Sequence, residues 1–156
     1  MLNEEILRSI QRSVLCWLAT VDSTGTPNVS PKEIFRAHGE ERLLVANIAS
    51  PRSARNILGN PNVCVAFIDI FVQKGFKLGG IAELVLPADP RFAELGAPLE
   101  EMTGGRFPIH SIFSIDVRRT EAIVAPSYRM FPGATEASQV EAAMRTYGVN
   151  RDQRNG

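Results

Sequence analysis

The alternation of apolar and polar residues divides the chain into a helical start, a long β region and a helical end. Residues 3–13 place Ile6, Leu7 and Ile10 at helical spacing behind a capping asparagine, which predicts a short amphipathic helix that covers one end of the fold. Over residues 15–48 the pattern changes to period two and predicts three consecutive antiparallel strands, with the sequences CWLATV, PNVSPKEIFRA and RLLVANI.

The rest of the chain predicts three more strands and three helices. Ser50 and Pro51 are typical of a helix start and Gly59 of its end, so a short helix follows the third strand. The remaining strands are NVCVAFID, then FKLGGIAELVL, whose glycine pair indicates a bulge or tight bend, and HSIFSIDVRRTEAIVA, which closes the sheet. DPRFAELGAPLEEM is typical of a broken helix, and a final amphipathic helix is predicted over residues 136–147.

Six strands with helices at the connections and ends predict a mainly β domain, a closed or nearly closed antiparallel barrel. A barrel of this size fills its interior with side chains, so a large ligand must bind outside it, in a cleft or between subunits. The chain of 156 residues is long enough for one sizeable core. We therefore expect a single domain over residues 1–148 and a mobile tail over residues 149–156.

Composition and charge exclude several function classes. The 17 basic and 17 acidic side chains cancel, so the chain lacks the broad positive field that nucleic acid or anionic membranes attract, and neither is expected as a partner. The apolar stretches are too short for a membrane span and the start does not resemble a signal peptide, which predicts a cytoplasmic protein. Cys16 and Cys64 lie in apolar runs without a CxxC pair and are expected to be buried thiols, with a disulfide or metal site as the alternative.

The stretch NIASPRSARN carries the main candidate for chemistry. A helix N-terminus favours acidic residues, but the first turn predicted here has none and contains Arg52 and Arg55. An external anion would resolve this mismatch, because free N–H groups near Arg52 and Ser53, two hydroxyls and a guanidinium suit a phosphate monoester. A solvated arginine beside an ordinary serine cap is the alternative, and the sequence leaves both open.

Two further segments contribute cations. Period-two alternation places Ser30 and Lys32 on one strand face, where Lys32 could bring a second positive charge to the same phosphate; a lysine that faces water is the alternative. Pro31 marks a place where this strand is open or irregular. Residues 73–77, QKGFK, offer two cations, an amide and an aromatic ring, which is weak evidence by itself.

Three stretches together, CWLATVDSTGTPNVSPKE, LLVANIASPRSARNI and NPNVCVAFIDIFVQKGFKLGG, resemble the FMN-binding split-barrel family related to pyridoxamine 5'-phosphate oxidase. In that family an A-T-x-x-x-x-G-x-P hairpin precedes the strand that lines the flavin, and Thr20, Gly25 and Pro27 occupy those places here. APSYRMFPGATEASQVEAAMRTYGV resembles the C-terminal part of small members. The resemblance implies a six-stranded antiparallel split β-barrel, an FMN cofactor and a homodimer with the flavin at the interface.

The resemblance also implies which residues bind the cofactor. Flavin contacts are expected from one strand, ring or ribityl contacts from the end of another, phosphate contacts from the helix start, and further contacts from the partner subunit. In that order these residues are Ser30, Pro31, Lys32 and Glu33; Asn47 and Ile48; Ser50, Arg52, Ser53 and Asn56; and Gln73 and Lys74. No catalytic residue and no metal site is assigned.

A flavin-dependent oxidoreductase that acts on a small-molecule redox substrate is the activity that the resemblance implies. The alternatives are a noncatalytic FMN-binding or storage protein and a relative that binds haem or a deazaflavin. True pyridoxamine-phosphate oxidases are longer and carry an arginine-rich flavin strand and a C-terminal Arg-x-His element. This chain has neither feature, so vitamin B6 phosphate oxidase activity is not expected.

Other chemistries have little support in the sequence. His38 and His110 lack the spacing of metal ligands, and no GxSxG, P-loop or GxGxxG motif follows a predicted strand. Tyr128 and Phe131, in a Pro-bounded loop, are candidates for covering a ring system, although loop anchoring is the alternative. The strand aromatics are expected in the core: Trp17, Phe35, Phe67 and Phe113.

Overall fold

A computed structural model describes residues 1–150 of the chain, so residues 151–156 of the expected mobile tail lie outside the described residues. The chain alternates between strands and short helices. The elements are α1 (Glu4–Arg12), β1 (Cys16–Val21), β2 (Pro27–Lys32), β3 (Phe35–His38), β4 (Arg42–Asn47), α2 (Pro51–Gly59), β5 (Asn62–Asp69), β6 (Lys74–Val85), α3 (Phe92–Thr103), β7 (Ser111–Val124), α4 (Ser127–Met130) and α5 (Glu136–Tyr147).

The strands form one antiparallel sheet in the order β2-β1-β5-β6-β7-β4-β3. β2 and β3 therefore lie at opposite edges, although only Glu33 and Ile34 separate them in the chain. Because three consecutive Cα–Cα steps span at most about 11 Å, the sheet must curl until its two edges meet. The result is a barrel that is split along one line, which confirms the predicted split barrel. We call the line between β2 and β3 the seam.

Seven strands, rather than the predicted six, make up this sheet. The segment PNVSPKEIFRA divides into β2 and β3, since β2 pairs with β1 and β3 pairs with β4. The division follows from the need to cross between sheet edges after Lys32, the last residue of β2 to pair with β1. Pro31 stays within β2, where an edge strand tolerates a residue that cannot donate a ladder hydrogen bond. The expected single strand is therefore wrong, although the residues assigned to it are extended on both sides of the crossing.

The glycine pair in β6 forms the predicted bulge. The pairing of β6 with β7 shifts between Gly79 and Gly80, so Gly79 lies opposite Arg119 and Gly80 opposite Val117. A Cβ atom on Gly80 would lie 2.3 Å from the carbonyl oxygen of Asp116, closer than real Cβ atoms approach backbone. Glycine at this position lets β6 and β7 approach while the sheet bends.

Side chains fill the barrel interior, as its size requires. The main core contains Phe35, Phe67 and Phe113, and α1 closes one end of it with Ile6 and Ile10. A second, smaller cluster lies between α3 and the outer side of β4, β6 and β7, built from Leu44, Ala46, Val85, Leu95, Leu99 and Ile112. A large ligand therefore has room only outside the barrel.

The first and last helices lie where the sequence predicts them. Asn3 caps α1, since its Oδ1 accepts a hydrogen bond from Ile6 N at 2.9 Å, and α5 has the predicted bounds.

The helix predicted as broken is continuous across Pro98, because packing in the second cluster holds both halves of α3 in line. Cys16 is a buried free thiol and Cys64 is half-buried. None of the helices described here is long and apolar enough to cross a membrane.

Trp17 lies outside the core, so its prediction as a core aromatic is wrong. In β1 the buried residues are Cys16, Leu18 and Thr20, and alternation directs the side chain of Trp17 to the outer face, where 47% of its surface is exposed. It lies opposite Pro31 in the pairing of β1 with β2. This places a large aromatic ring beside the seam.

Candidate cofactor site

A cleft of about 590 Å³ lies at the seam, where β2, the end of β4 and the start of α2 meet. We call it the seam cleft. Its polar lining comes from Ser30, Lys32, Glu33 and Ser50. The remaining lining is apolar and includes Trp17, Pro31, Ile34, Ile48 and Phe107. A cleft of this volume with an apolar wall and a few convergent polar groups is typical of small-molecule sites.

Lys32 is the buried cation of the seam cleft, with only 7% of its surface exposed. Its Nζ donates hydrogen bonds to Ser30 Oγ at 2.7 Å and to Ser50 Oγ. Burial lowers the pKa of Lys32. No carboxylate of residues 1–150 lies within ion-pair distance of it. A buried ammonium group without a counter-charge is unfavourable, so the site is suited to an anionic ligand. The alternative prediction, that the Lys32 side chain faces water, is wrong.

The start of α2 lacks the side-chain cap that its sequence suggests. Ser50 occupies the N-cap position, yet its hydroxyl accepts from Lys32 and contacts the Ser30 hydroxyl at 3.2 Å instead of bonding to the helix. The backbone N–H of Ser50 donates to Asn47 Oδ1 at 3.0 Å. The N–H groups of the first turn therefore remain available, and the first turn contains no acidic residue to balance them.

Three of the residues expected to contact the cofactor use their side chains to hold the site together. Asn47 Nδ2 donates to Ser111 Oγ at 2.8 Å, and Asn56 Nδ2 donates to Thr20 Oγ1 at 3.0 Å. Ser53 is buried and its Oγ lies 3.4 Å from Asn28 Nδ2. The contacts of Ser53 and Asn56 fix α2 on the β1–β2 hairpin, whereas the bond of Asn47 joins the end of β4 to β7. The backbone N–H of Ser53 is then its means of contacting an anion.

Arg52 lies in a second cleft, of about 390 Å³, on the hairpin side of α2. Arg55, Asp22 and Asn28 also line this arginine cleft. Among the described residues no carboxylate forms an ion pair with either arginine. Hydrogen bonds from the Thr24 hydroxyl and the turn backbone lower the pKa of Asp22, and the charge of Arg52 adds to this effect.

The two clefts share one face of β2. Asn28 contacts Ser53 on the arginine side, and Ser30 contacts Ser50 on the seam side. Two residues along a strand separate the contact points, which corresponds to about 7 Å. A ligand with a ring at one end and a phosphate at the other could therefore reach both clefts across the start of α2.

Gln73 ends the β5–β6 turn and Lys74 begins β6; neither is among the described residues that line the two clefts. Gln73 has a positive φ of 55°. Lys74 Nζ donates to Glu136 Oε1 at 2.8 Å and lies 4.5 Å from the centre of the Tyr128 ring. The hydrogen bond with Glu136 raises the pKa of Lys74. One chain by itself does not bring these two residues to the other candidates.

Six lining residues of the seam cleft are not among those predicted: Leu15, Trp17, Ile34, Ala46, Ala49 and Phe107. The alternation of side chains along β1, which directs Trp17 to the outer face, could have identified Trp17. Phe107 lies in an irregular loop that no periodicity describes. Tyr128 and Phe131, the expected ring covers, are not among the described residues that line this cleft; the Tyr128 hydroxyl instead donates to Val72 O at 2.7 Å, which supports its anchoring role. Within residues 1–150, no group of three His, Cys, Asp or Glu side chains is placed to hold a metal ion.

Comparison of the sequence with protein families gives one match. The model of the family described as pyridoxamine 5'-phosphate oxidase matches residues 2–130, which is most of the chain. A search of curated proteins finds no match.

Solved structures similar to this chain have the same fold. HupZ of Group A Streptococcus is 25% identical with a TM-score of 0.66, over 77% of this chain and 92% of that one. HutZ of Vibrio cholerae, described as a haem storage protein, is 26% identical with a TM-score of 0.60, over 80% and 95% of the two chains. An FMN-binding protein of Syntrophomonas wolfei is 13% identical with a TM-score of 0.65, over 78% and 88%.

Proposed function

We propose that this chain, which belongs to the pyridoxamine 5'-phosphate oxidase family, binds FMN at the start of α2 and works as an FMN-dependent oxidoreductase on a small molecule. The observation that carries the proposal is the buried Lys32, which has no ion-pair partner among the described residues and lies beside an uncapped helix start. Both features favour a bound anion, and the adjoining cleft is mostly apolar.

In this arrangement the flavin ring occupies the seam cleft and the phosphate reaches the first turn of α2. The free backbone N–H groups there and the guanidinium of Arg52 bind the phosphate, while Lys32 adds positive charge from the seam side. Ser53 and Asn56 keep α2 in place through their hydrogen bonds to the hairpin. Bound FMN would supply hydride or electron transfer, and the residues of the chain bind and orient it.

FMN fits the described residues better than haem does. A phosphate ester matches a helix N-terminus flanked by unpaired cations, whereas a haem site commonly includes an axial side-chain ligand such as histidine. His38 and His110 are not among the described residues that line the seam cleft. The similarity to an FMN-binding protein and to a haem storage protein makes both ligands worth testing.

Replacing Arg52 by Ala is expected to weaken FMN binding by ~1.5–3 kcal/mol, the usual range for a hydrogen bond to a charged group, and to change riboflavin binding little. The test is titration of FMN, riboflavin and haem into the parent protein and the variant, followed by visible absorbance and flavin fluorescence. Arg12→Ala, an exposed arginine at the end of α1, serves as the control.

A parent protein that takes up haem but no flavin would contradict the FMN proposal, and equal losses for FMN and riboflavin would remove Arg52 from the phosphate site. Oxidation of a reduced nicotinamide in the presence of FMN, measured on the same samples, separates an oxidoreductase from a noncatalytic FMN-binding protein.

We also propose a homodimer with the flavin at the interface. The outer face beside the seam exposes Trp17 and Val29, an apolar surface that a second copy would cover. The partner copy would also bring Gln73 and Lys74 to the cofactor. Sedimentation of the FMN-loaded protein is expected to give a dimer at micromolar concentration, and a monomer that retains flavin under those conditions would contradict this proposal.

A further inference from the structure

The loop between α3 and β7 carries an aromatic side chain to the seam cleft. The chain leaves α3 through Gly104 and Gly105, with φ values of 58° and 71°, in the left-handed region that favours glycine. Thr103, which is buried, fixes the start of the loop: its hydroxyl donates to Glu100 O at 2.9 Å and accepts from Gly105 N at 3.1 Å. Phe107, two residues after Gly105, lines the seam cleft.

The position of Phe107 is not explained by packing within the chain. Half of its surface is exposed, and it belongs to neither hydrophobic cluster of the described residues. Its loop neighbour Ile109 does pack against the cluster under α3, so the loop has its own anchor without Phe107. Trp17 lines the same cleft and is similarly exposed. Two large aromatic side chains, both half exposed in one cleft, favour a planar apolar ligand between or against them.

We propose that Phe107 is a binding residue for the flavin ring, which it contacts from the wall of the seam cleft. This inference rests on the proposed FMN function. It assigns the ring affinity to Phe107, which lines the seam cleft, and the phosphate affinity to Arg52, which lines the arginine cleft. Thr103 and the glycine pair are positioning residues, because they fix where the loop leaves α3 and do not line the cleft.

The assignment has a distinct signature in binding. FMN and riboflavin share the ring and differ in the phosphate, so a ring contact affects both ligands equally. Phe107→Ala is expected to weaken the binding of both flavins by the same factor, about 10-fold, because the variant lacks the phenyl surface that the bound ring would cover. Phe107→Tyr, which keeps the ring, is expected to restore most of the affinity for both.

The experiment titrates FMN and riboflavin into the parent, Phe107→Ala, Phe107→Tyr and Leu86→Ala, and follows flavin fluorescence with thermal unfolding as a check on folding. Leu86 is the control, since it is a large apolar side chain that is half exposed and is not among the lining residues of either cleft. Equal losses for both flavins in Phe107→Ala, with Leu86→Ala unchanged, support the inference.

Two results would overturn it without touching the FMN proposal: parent-like affinity of Phe107→Ala for both flavins, or a loss confined to FMN. A parent protein that binds neither flavin would instead overturn the proposed function and this inference with it.

Discussion

Replacing Lys32 by Met is expected to stabilise the ligand-free protein and to weaken FMN binding in the same variant. The ammonium group is buried without an ion-pair partner among residues 1–150, so folding removes it from water without a compensating charge. Methionine keeps the length of the side chain and removes that unfavourable term, which we expect to raise the free energy of unfolding by about 1 kcal/mol at pH 7. The same change removes a positive charge from the cofactor site and should lower FMN affinity about 10-fold.

The pH dependence of stability provides a second measurement on the same variant. Burial lowers the pKa of Lys32 below the ordinary value of 10.5 that it has in the unfolded chain. Between the lowered pKa and 10.5 the unfolded chain binds more protons at this residue than the folded protein does, so Lys32 makes the stability of the parent increase with pH across that window. Lys32→Met lacks this increase, and its advantage over the parent should shrink as pH rises towards 10.5.

Urea denaturation at pH 7 and at pH 10 measures the expected gain in the free energy of unfolding and its dependence on pH. Lys77→Met is the control, because Lys77 is more exposed and ion-paired with Glu121 at 2.7 Å. A Lys32→Met protein that is less stable than the parent at pH 7 and binds FMN with parent affinity would show that Lys32 has only a structural role.

Replacing Gly80 by Ala is expected to destabilise the protein by about 3 kcal/mol, whereas Gly79→Ala should have a much smaller effect. An added Cβ on Gly80 would meet the backbone carbonyl oxygen of Asp116 at 2.3 Å, which forces the paired strands apart. At Gly79 the atoms that would be met belong to the Arg119 side chain, which can move away. Denaturant unfolding of the two variants tests this difference, and equal losses at both positions would argue against a backbone clash at the bulge.

The sequence predicted those parts of the fold that depend on local patterns. Hydrophobic periodicity and capping located α1, α5 and the strands of the barrel, and the glycine pair located the bulge at Gly79 and Gly80. The division of β2 from β3 was not predicted, because extended residues lie on both sides of the bend at Glu33 and the alternation does not show that their pairing partners differ. Pairing between distant segments is a property of the whole sheet, and alternation within one strand does not encode it.

The candidate site shows the same division between local and long-range information. The charge pattern at the start of α2 and the shared face of Ser30 and Lys32 were readable from the sequence. The contact between Lys32 and Ser50 depends on the curling of the sheet, and the placement of Phe107 depends on a loop whose path is set by α3 and β7. The resemblance led us to expect Ser53 and Asn56 at the site, but their burial on the inner face of α2 follows from tertiary packing.

The crossing at Glu33 and Ile34 also determines how firmly the two sides of the seam are held. The strands at this line are joined by the chain itself, and no pairing of β2 with β3 occurs in the described sheet. The two-residue connection limits how far the edges of β2 and β3 can separate. Because the same connection is present in the unfolded chain, bringing these two strands together closes only a short loop and costs little conformational entropy. The cleft is therefore organised before any ligand arrives, and binding energy is not consumed in assembling that part of it.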